Sequence, residues 1–134
     1  MSDNAADLLE SLLSENGLTA SAKKVGDAMV RFKFGSATVV AAISGDSLVI
    51  TAPIFKALPS ARADEFCRHL LGLNARMAGL ASFGLGSDGS VSLMAGRSTD
   101  GLDAREFKLV LSTVGKFADA FDDLLHDEYY GTSA

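Results

Sequence analysis

The chain has 134 residues, of which 48% are hydrophobic and 22% are charged, and its formal net charge is −5. These values are typical of a globular protein, so we expect one domain over residues 1–134 with an ordered core at about residues 5–125. The acidic balance argues against nucleic acid or an anionic membrane as the main partner, and the lack of a long apolar run or a basic signal segment favours a cytoplasmic location.

The first predicted element is a short amphipathic helix with four leucines between positions 8 and 13 on one face. Asn16-Gly17 then forms a typical C-terminal stop. Residues 25–27 are predicted to form a turn, after which apolar and basic residues alternate over residues 30–34. This alternation indicates a strand with one exposed face.

Two β-branched stretches, residues 38–43 and 47–52, predict two further strands. The turns that join them are too short for parallel crossovers, so the strands form an antiparallel meander. Their alternation places Val40, Ala42 and Val49 on the face opposite the main apolar set. Because this second face is apolar too, we expect something to cover it, and we predict that these three residues contact a client or partner protein.

The second predicted helix covers residues 61–74, with Ser60 as its cap. Its apolar residues spread over about 160°, which is wider than contact with one sheet requires. We therefore predict a symmetric homodimer in which Cys67 and Leu71 lie at the interface, turned away from the core contact of the helix. Cys67 is the only cysteine, which excludes an intrachain disulfide and agrees with a reducing compartment.

A hairpin over residues 81–95 leads to a long final helix over residues 103–125, so the predicted order is α-β-β-β-α-β-β-α. Asp103 is expected to cap this helix, in a capping box with the glutamate three residues later. Phe117 and Phe121 lie on an apolar arc of about 140° and are expected in the core. Leu109 lies on the polar side of the helix, and we predict that it contacts a partner.

Residues 84–89 match the dinucleotide-binding pattern G-x-G-x-x-G, but they lead into a predicted strand rather than a helix. The glycines are better explained by the positive φ angles of a hairpin turn. Asp88 is then expected to form hydrogen bonds within that turn. We predict no nucleotide site and no cofactor.

Patterns for catalysis and metal binding are weak. Asp122 and His126 are one helical turn apart among other acids, but no second histidine or cysteine is near them in sequence, so an exposed acidic face is the better interpretation. Cys67 and His69 point about 160° apart on their helix and cannot form a thiolate–imidazole pair. We expect no catalytic residues and no metal ligands, and hence a protein that is not an enzyme.

Four short motifs occur together in one order: Val30-Arg-Phe-Lys-Phe-Gly, Leu70-Leu-Gly-Leu-Asn74, Gly86-Ser-Asp-Gly89, and Asp100-Gly-Leu-Asp103 before a Phe-rich helix. Together they resemble the class I type III secretion chaperones, of the Tir-chaperone kind, and the related YbjN-like proteins. The resemblance covers nearly the whole chain.

The resemblance implies an α+β fold with three helices around a twisted antiparallel sheet, usually in a homodimer, in the cytoplasm and without a cofactor or catalytic residues. Chaperones of this kind hold the N-terminal segment of an exported protein in an extended form along apolar patches. The YbjN-like branch implies a regulatory or stress-related module instead. The resemblance does not separate these two functions, because it does not fix surface residues.

Overall fold

The computed structural model describes residues 2–131 of the chain, with side chains from residue 5 onward. Its helices are α1 (Ser2–Glu15), α2 (Ala63–Met77) and α3 (Ala104–Leu125). Its strands are β1 (Lys23–Gly26), β2 (Met29–Phe34), β3 (Ala37–Ser44), β4 (Ser47–Phe55), β5 (Ser82–Leu85) and β6 (Val91–Ser98). A single π-helical turn, His126–Tyr130, follows α3 and is called the C-terminal turn below.

The strands form one antiparallel sheet in the order β1-β2-β3-β4-β6-β5. The predicted α+β class with three helices and an antiparallel sheet is therefore confirmed. The structure adds one strand, β1, where the sequence suggested loop and turn. All four residues of β1 are exposed and its pairing with β2 is irregular between Lys24 and Gly26, so no apolar alternation reveals it.

The core lies on one side of the sheet, which we call the inner face. Alternate residues of β3 and β4, such as Val39, Ala41, Leu48 and Ile50, are fully buried there. Helix α3 packs across β2, β3, β4 and β6, while α1 contacts β3 and α3, and α2 contacts β5. The predicted inner set of these strands is thus confirmed, and the three helices share one hydrophobic core.

Helix α2 begins later than predicted, and Ser60 is not its cap. The N-cap residue is Arg62, whose left-handed backbone (φ 63°) provides no side-chain cap. The guanidinium of Arg62 instead donates to both carboxylate oxygens of Glu65, at 3.2 Å and 2.7 Å. The helix start is stabilised by this exposed pair rather than by a hydroxyl cap.

At the start of α3, the carboxylate of Asp103 accepts a hydrogen bond from the backbone N–H of Glu106 at 2.8 Å, which confirms the predicted cap. The carboxylate of Glu106 lies 3.4 Å from Nε of Arg97, so this glutamate pairs with β6 instead of completing a capping box. Phe117 and Phe121 are half-buried, which corrects the expectation that both lie in the core. Residues such as Val114 occupy the sheet contact, and the two phenylalanine rings stack beside it at 5.8 Å.

Candidate functional site

The side of the sheet opposite the helices, which we call the outer face, is not covered by any element among the described residues. Strand pairing sets Met29, Ala42, Val49 and Gly96 side by side across β2, β3, β4 and β6. The side chains of Met29 and Val49 are 40% and 38% exposed. An apolar sheet surface that remains in contact with solvent is a feature of protein interaction sites.

Three of the predicted contact residues, Val40, Ala42 and Val49, come together on this outer face. Ala42 pairs directly with Val49, and Val40 pairs with Thr51, two residues further along β4. Val40 and Ala42 are half-buried by their neighbours, so Val49 presents the largest exposed fraction of the three. Leu109 is separate from them: it lies on α3, on the helical side of the sheet, and is 63% exposed.

Sequence reasoning missed Met29, Met94 and Gly96 as parts of the outer face. Met94 pairs with Thr51 of β4 and is 37% exposed. A shallow depression of about 330 Å³ lies between Val49, Met94 and Gly96, where glycine contributes no side chain. The alternation of β6 placed Met94 opposite its buried neighbours, so the signal was available once β6 was known to pair with β4.

A second apolar groove lies between α1 and the β1–β2 edge. It encloses about 420 Å³, and Leu9, Leu13, Ala22 and Val30 contribute its apolar walls. Because β1 was not predicted, this groove was not predicted either. A cavity of about 610 Å³ at the end of the sheet has mixed walls that include Leu8, Met29, Asp27 and Asp46.

On α2, Leu71 is 67% exposed, whereas Cys67, one turn earlier, is half-buried against the core. The buried residues Phe66, Leu70, Leu73 and Met77 occupy the opposite side of the helix. Leu71 is therefore available for contact with another chain, and Cys67 lies at the boundary between that surface and the core.

The family description of the Tir chaperone protein (CesT) matches residues 7–117, which is most of the chain. The chain belongs to the CesT family. The resemblance inferred from the sequence motifs is thereby confirmed. A search of curated protein sequences gave no match.

Three solved structures of similar fold illustrate the range of this architecture. A chain of the heterodimeric ExoU–SpcU complex from the type III secretion system of Pseudomonas aeruginosa has a TM-score of 0.68 and 16% identity, over 89% of this chain and 98% of that chain. A chain of the complex between the Yersinia pestis type III secretion chaperone SycH and a fragment of YscM2 has a TM-score of 0.58 and 17% identity, over 87% of this chain and 98% of that chain. An uncharacterized protein from Methanothermobacter thermautotrophicus has a TM-score of 0.64 and 14% identity, over 93% of this chain and 99% of that chain.

In this CesT-family chain, the C-terminal turn folds back over the start of α2. Tyr130 stacks on Phe55 at 4.0 Å, and Tyr129 meets the edge of Phe66 at 5.0 Å. The hydroxyl of Tyr130 donates to the carbonyl of Ala57 at 2.7 Å. Burial raises the pKa of Tyr130 to about 12 and also raises the pKa of Tyr129.

Polar groups around this turn have structural partners. The hydroxyl of Tyr129 lies 2.9 Å from Nδ1 of His69, and the Arg62 guanidinium lies 4.7 Å over the Tyr129 ring. The hydrogen bond from Arg62 lowers the pKa of Glu65. His69 therefore belongs to the contact between α2 and the C-terminal turn.

The acids near the end of α3 bind a turn of the sheet. Asp119 accepts a hydrogen bond from the backbone N–H of Ser36. The hydroxyl of Ser36 lies 3.2 Å from Asp119 and 2.9 Å from Asp122, and its single proton is shared between these two carboxylates. Gly35 fits there because its φ is 57° and an added Cβ would lie 2.5 Å from the Asp119 carboxylate. Within the described part of the chain, no group of three or more histidine, cysteine or acidic side chains is placed to bind a metal ion.

The glycine-rich segment connects β5 to β6, as predicted, and does not lead into a helix. Gly89 has a φ of 84°, and the N–H of Gly86 donates to the carbonyl of Ser90 at 2.8 Å. Asp88 accepts a hydrogen bond from the N–H of Ser90 at 3.0 Å, and hydrogen bonding to Ser90 lowers the pKa of Asp88.

The described helices include none that is long and apolar enough to cross a membrane.

Proposed function

We propose that this CesT-family chain is a cytoplasmic, non-enzymatic chaperone that holds an extended segment of a client protein on the outer face of its sheet, as a homodimer. The carrying observation is the uncovered apolar surface around Val49, Met29 and Met94. Solvent contact with these side chains is unfavourable, and a bound segment removes them from water. The client is a protein, and no cofactor takes part.

The form of the surface favours an extended client. Adjacent strands lie about 4.8 Å apart, so an extended chain that crosses β2, β3, β4 and β6 needs about five residues. Val40, Ala42 and Val49 provide shallow apolar contacts rather than one deep pocket. Such a surface fits alternating side chains of an unfolded segment better than a folded partner.

The dimer part of the proposal rests on Leu71. An isolated exposed leucine is common, but this one lies on the α2 surface that faces away from the core. Two copies of α2 that meet at a twofold axis bury Leu71 and the exposed edge of Cys67. Leu109 is a second candidate for partner contact, on α3.

Leu71→Asp tests the dimer. The change places two carboxylates near the twofold axis, where neither is solvated well, so we expect the protein to become a monomer. Light scattering of the wild type and the variant measures the mass directly. A wild type that is monomeric at tens of micromolar concentration contradicts the dimer, and a variant that remains dimeric places the interface elsewhere.

Client binding is tested by capture on the tagged chain from the native cytoplasm, followed by limited proteolysis and mass spectrometry. We expect one protein to be recovered, protected over a short N-terminal segment, and we expect a Val49→Ser/Met94→Ser variant to lose it. Arg76→Gln on α2 is the control, since Arg76 is exposed and lies outside the outer face. Retention of the client by the double variant would move the binding surface to another face.

A second candidate is a YbjN-like regulatory module without a secreted client. The observation that favours it is the set of four short sequence motifs, which resembles this branch as well as the secretion chaperones. This function predicts capture of a folded partner that is protected as a whole rather than along one extended segment. The proteolysis pattern separates the two candidates.

A further inference from the structure

The charges of the sheet are all of one sign. The strands contain no aspartate or glutamate, and their charged residues are Lys23, Lys24, Arg31, Lys33 and Arg97. The whole chain has 17 acidic and 12 basic residues, so the acids are confined to helices, loops and turns. A basic sheet in an acidic protein requires an explanation.

Strand register separates these basic residues by face. Lys23 pairs with Arg31, and Arg31 pairs with Val40 of the outer face, so Lys23, Arg31 and Lys33 point to the outer side. Lys24 pairs with Val30, which is buried on the inner face. Arg97 has a carboxylate partner, Glu106 of α3. The outer face therefore carries three cations at its β1–β2 end.

These three cations have no acidic partner among the described residues. The described ion pairs of the chain involve Arg62, Arg97 and His126 instead. Lys33 donates only to the hydroxyl of Thr38, at 3.2 Å. A concave surface of about 410 Å³ lies among the three cations.

The arrangement of Lys23 and Arg31 does not stabilise the fold. They lie directly opposite each other on antiparallel strands, where like charges repel. Lysines on an edge strand do prevent unwanted pairing with other chains, and this can account for Lys23. It does not account for Arg31, because Arg31 is paired on both sides, with Lys23 of β1 and with Val40 of β3.

We infer that the segment held on the outer face is acidic at one end and apolar at the other. This inference rests on the proposed function and specifies its client. Carboxylates of the segment meet Arg31, Lys33 and Lys23, and apolar side chains continue over Val40 and Met94. Six residues in extended form span the roughly 19 Å from β1 to β6.

Charge complementarity also sets the direction of the bound segment. The opposite edge strand, β5, carries no charged residue, and its residues that pair with outer-face positions of β6 are Ser82 and Gly84. An acidic end therefore has favourable contacts only at the β1–β2 side. Unlike the apolar contacts, which are similar along the sheet, these charges distinguish one orientation of the segment from its reverse.

The test uses three fluorescein-labelled synthetic peptides with the same apolar half and a second half rich in aspartate, lysine or serine. Anisotropy titration against the full chain measures their affinities. We expect the aspartate peptide to bind about tenfold more tightly than the lysine peptide at low salt, and this difference to fall toward twofold near 1 M salt, where screening is strong.

Two variants localise the effect. Arg31→Gln/Lys33→Gln should weaken the binding of the aspartate peptide about threefold to tenfold and leave the affinity of the serine peptide unchanged. The control, Arg76→Gln/Lys108→Gln, makes the same change of net charge at exposed helical positions. Equal losses in both variants would attribute the preference to overall charge and overturn the inference.

The inference and the proposed function fail differently. If the three peptides bind equally well, and Val49→Ser/Met94→Ser weakens all of them, the binding surface stands and the acidic specificity is wrong. If Val49→Ser/Met94→Ser leaves the affinities of all three peptides unchanged, both the inference and the proposed binding surface are wrong. No measurable binding of the aspartate peptide at about 1 mM overturns the inference, while client capture still tests the function. Binding of a labelled oligothymidylate that depends on Arg31 and Lys33 also overturns it, because the cations then recognise phosphate.

Discussion

The two faces of β3 and β4 are made from similar residues and have different environments. On the inner face, Val39, Ala41 and Ile50 are fully buried under the helices. On the outer face, the neighbouring Val40 and Ala42 are half-buried, and Val49 is 38% exposed. Composition alone does not distinguish the faces. The difference comes from the position of the helices, which all contribute to the core on one side.

The strongest test of this difference compares two adjacent residues of β4. Ile50→Ala opens a cavity under α3 and should cost about 2–5 kcal/mol of unfolding free energy. Val49→Ala removes methyl groups that are already partly in solvent, and should cost less than about 1 kcal/mol. Urea titration measures both. Similar losses at the two positions would mean that the outer face is packed against something in solution.

A second test compares two residues at one margin of the α3 arc. Phe117 is half-buried beside Phe121, so Phe117→Ala should cost about 1–3 kcal/mol. Leu124 is 51% exposed, and Leu124→Ala should change stability by about 0.5 kcal/mol or less. A loss above about 3 kcal/mol at Phe117 would restore the sequence-based expectation that this ring is in the core.

The sequence predicted the fold class because its strongest patterns are local. The cap at Asp103, the stop at Gly17 and the alternation in β3 each have a short-range physical cause. The strand β1 was not predicted because it is exposed throughout. Its pairing with β2 depends on the tertiary structure and leaves no hydrophobic pattern in its own residues.

The candidate site was predictable only in part. Val40, Ala42 and Val49 were identified because both faces of their strands are apolar. Met29 and Met94 join them through strand pairing, which the sequence did not specify across β4 and β6. The C-terminal turn was also missed, because the contact of Tyr130 with Phe55 joins segments far apart in the chain.

A smaller effect is expected at the C-terminal turn, which covers the inner core rather than the outer face. Tyr130→Phe removes the hydrogen bond to Ala57 and should cost about 0.5–1.5 kcal/mol. The fold raises the pKa of Tyr130 from 10.0 to about 12. The stabilisation is therefore complete below pH 10.0 and is lost as the pH rises toward about 12.

Phenolate absorbance measures this directly, since the chain has two tyrosines and no tryptophan. We expect a late titration step in the wild type that is absent in Tyr130→Phe. Client or peptide affinity for the outer face should not change in the variant below pH 9 or so, because the turn lies on the other side of the sheet. A titration of both phenols at the ordinary pKa would show that the C-terminal turn does not pack on Phe55.

The smallest effect is expected at the turn between β5 and β6, which contributes to neither face. Asp88→Ala removes one exposed hydrogen bond to Ser90 and should lower stability only slightly, with the fold intact. Because the fold lowers the pKa of Asp88, its contribution is present at neutral pH and is lost as the pH falls through the lowered value. The loss of stability in Asp88→Ala should therefore disappear in acid, which urea titration at two pH values measures.

Calorimetry with NAD and ATP should show no saturable binding to the wild type, since Gly86 and Gly89 form part of the hairpin turn. Micromolar binding of either nucleotide would contradict this and would assign the turn a function independent of both faces.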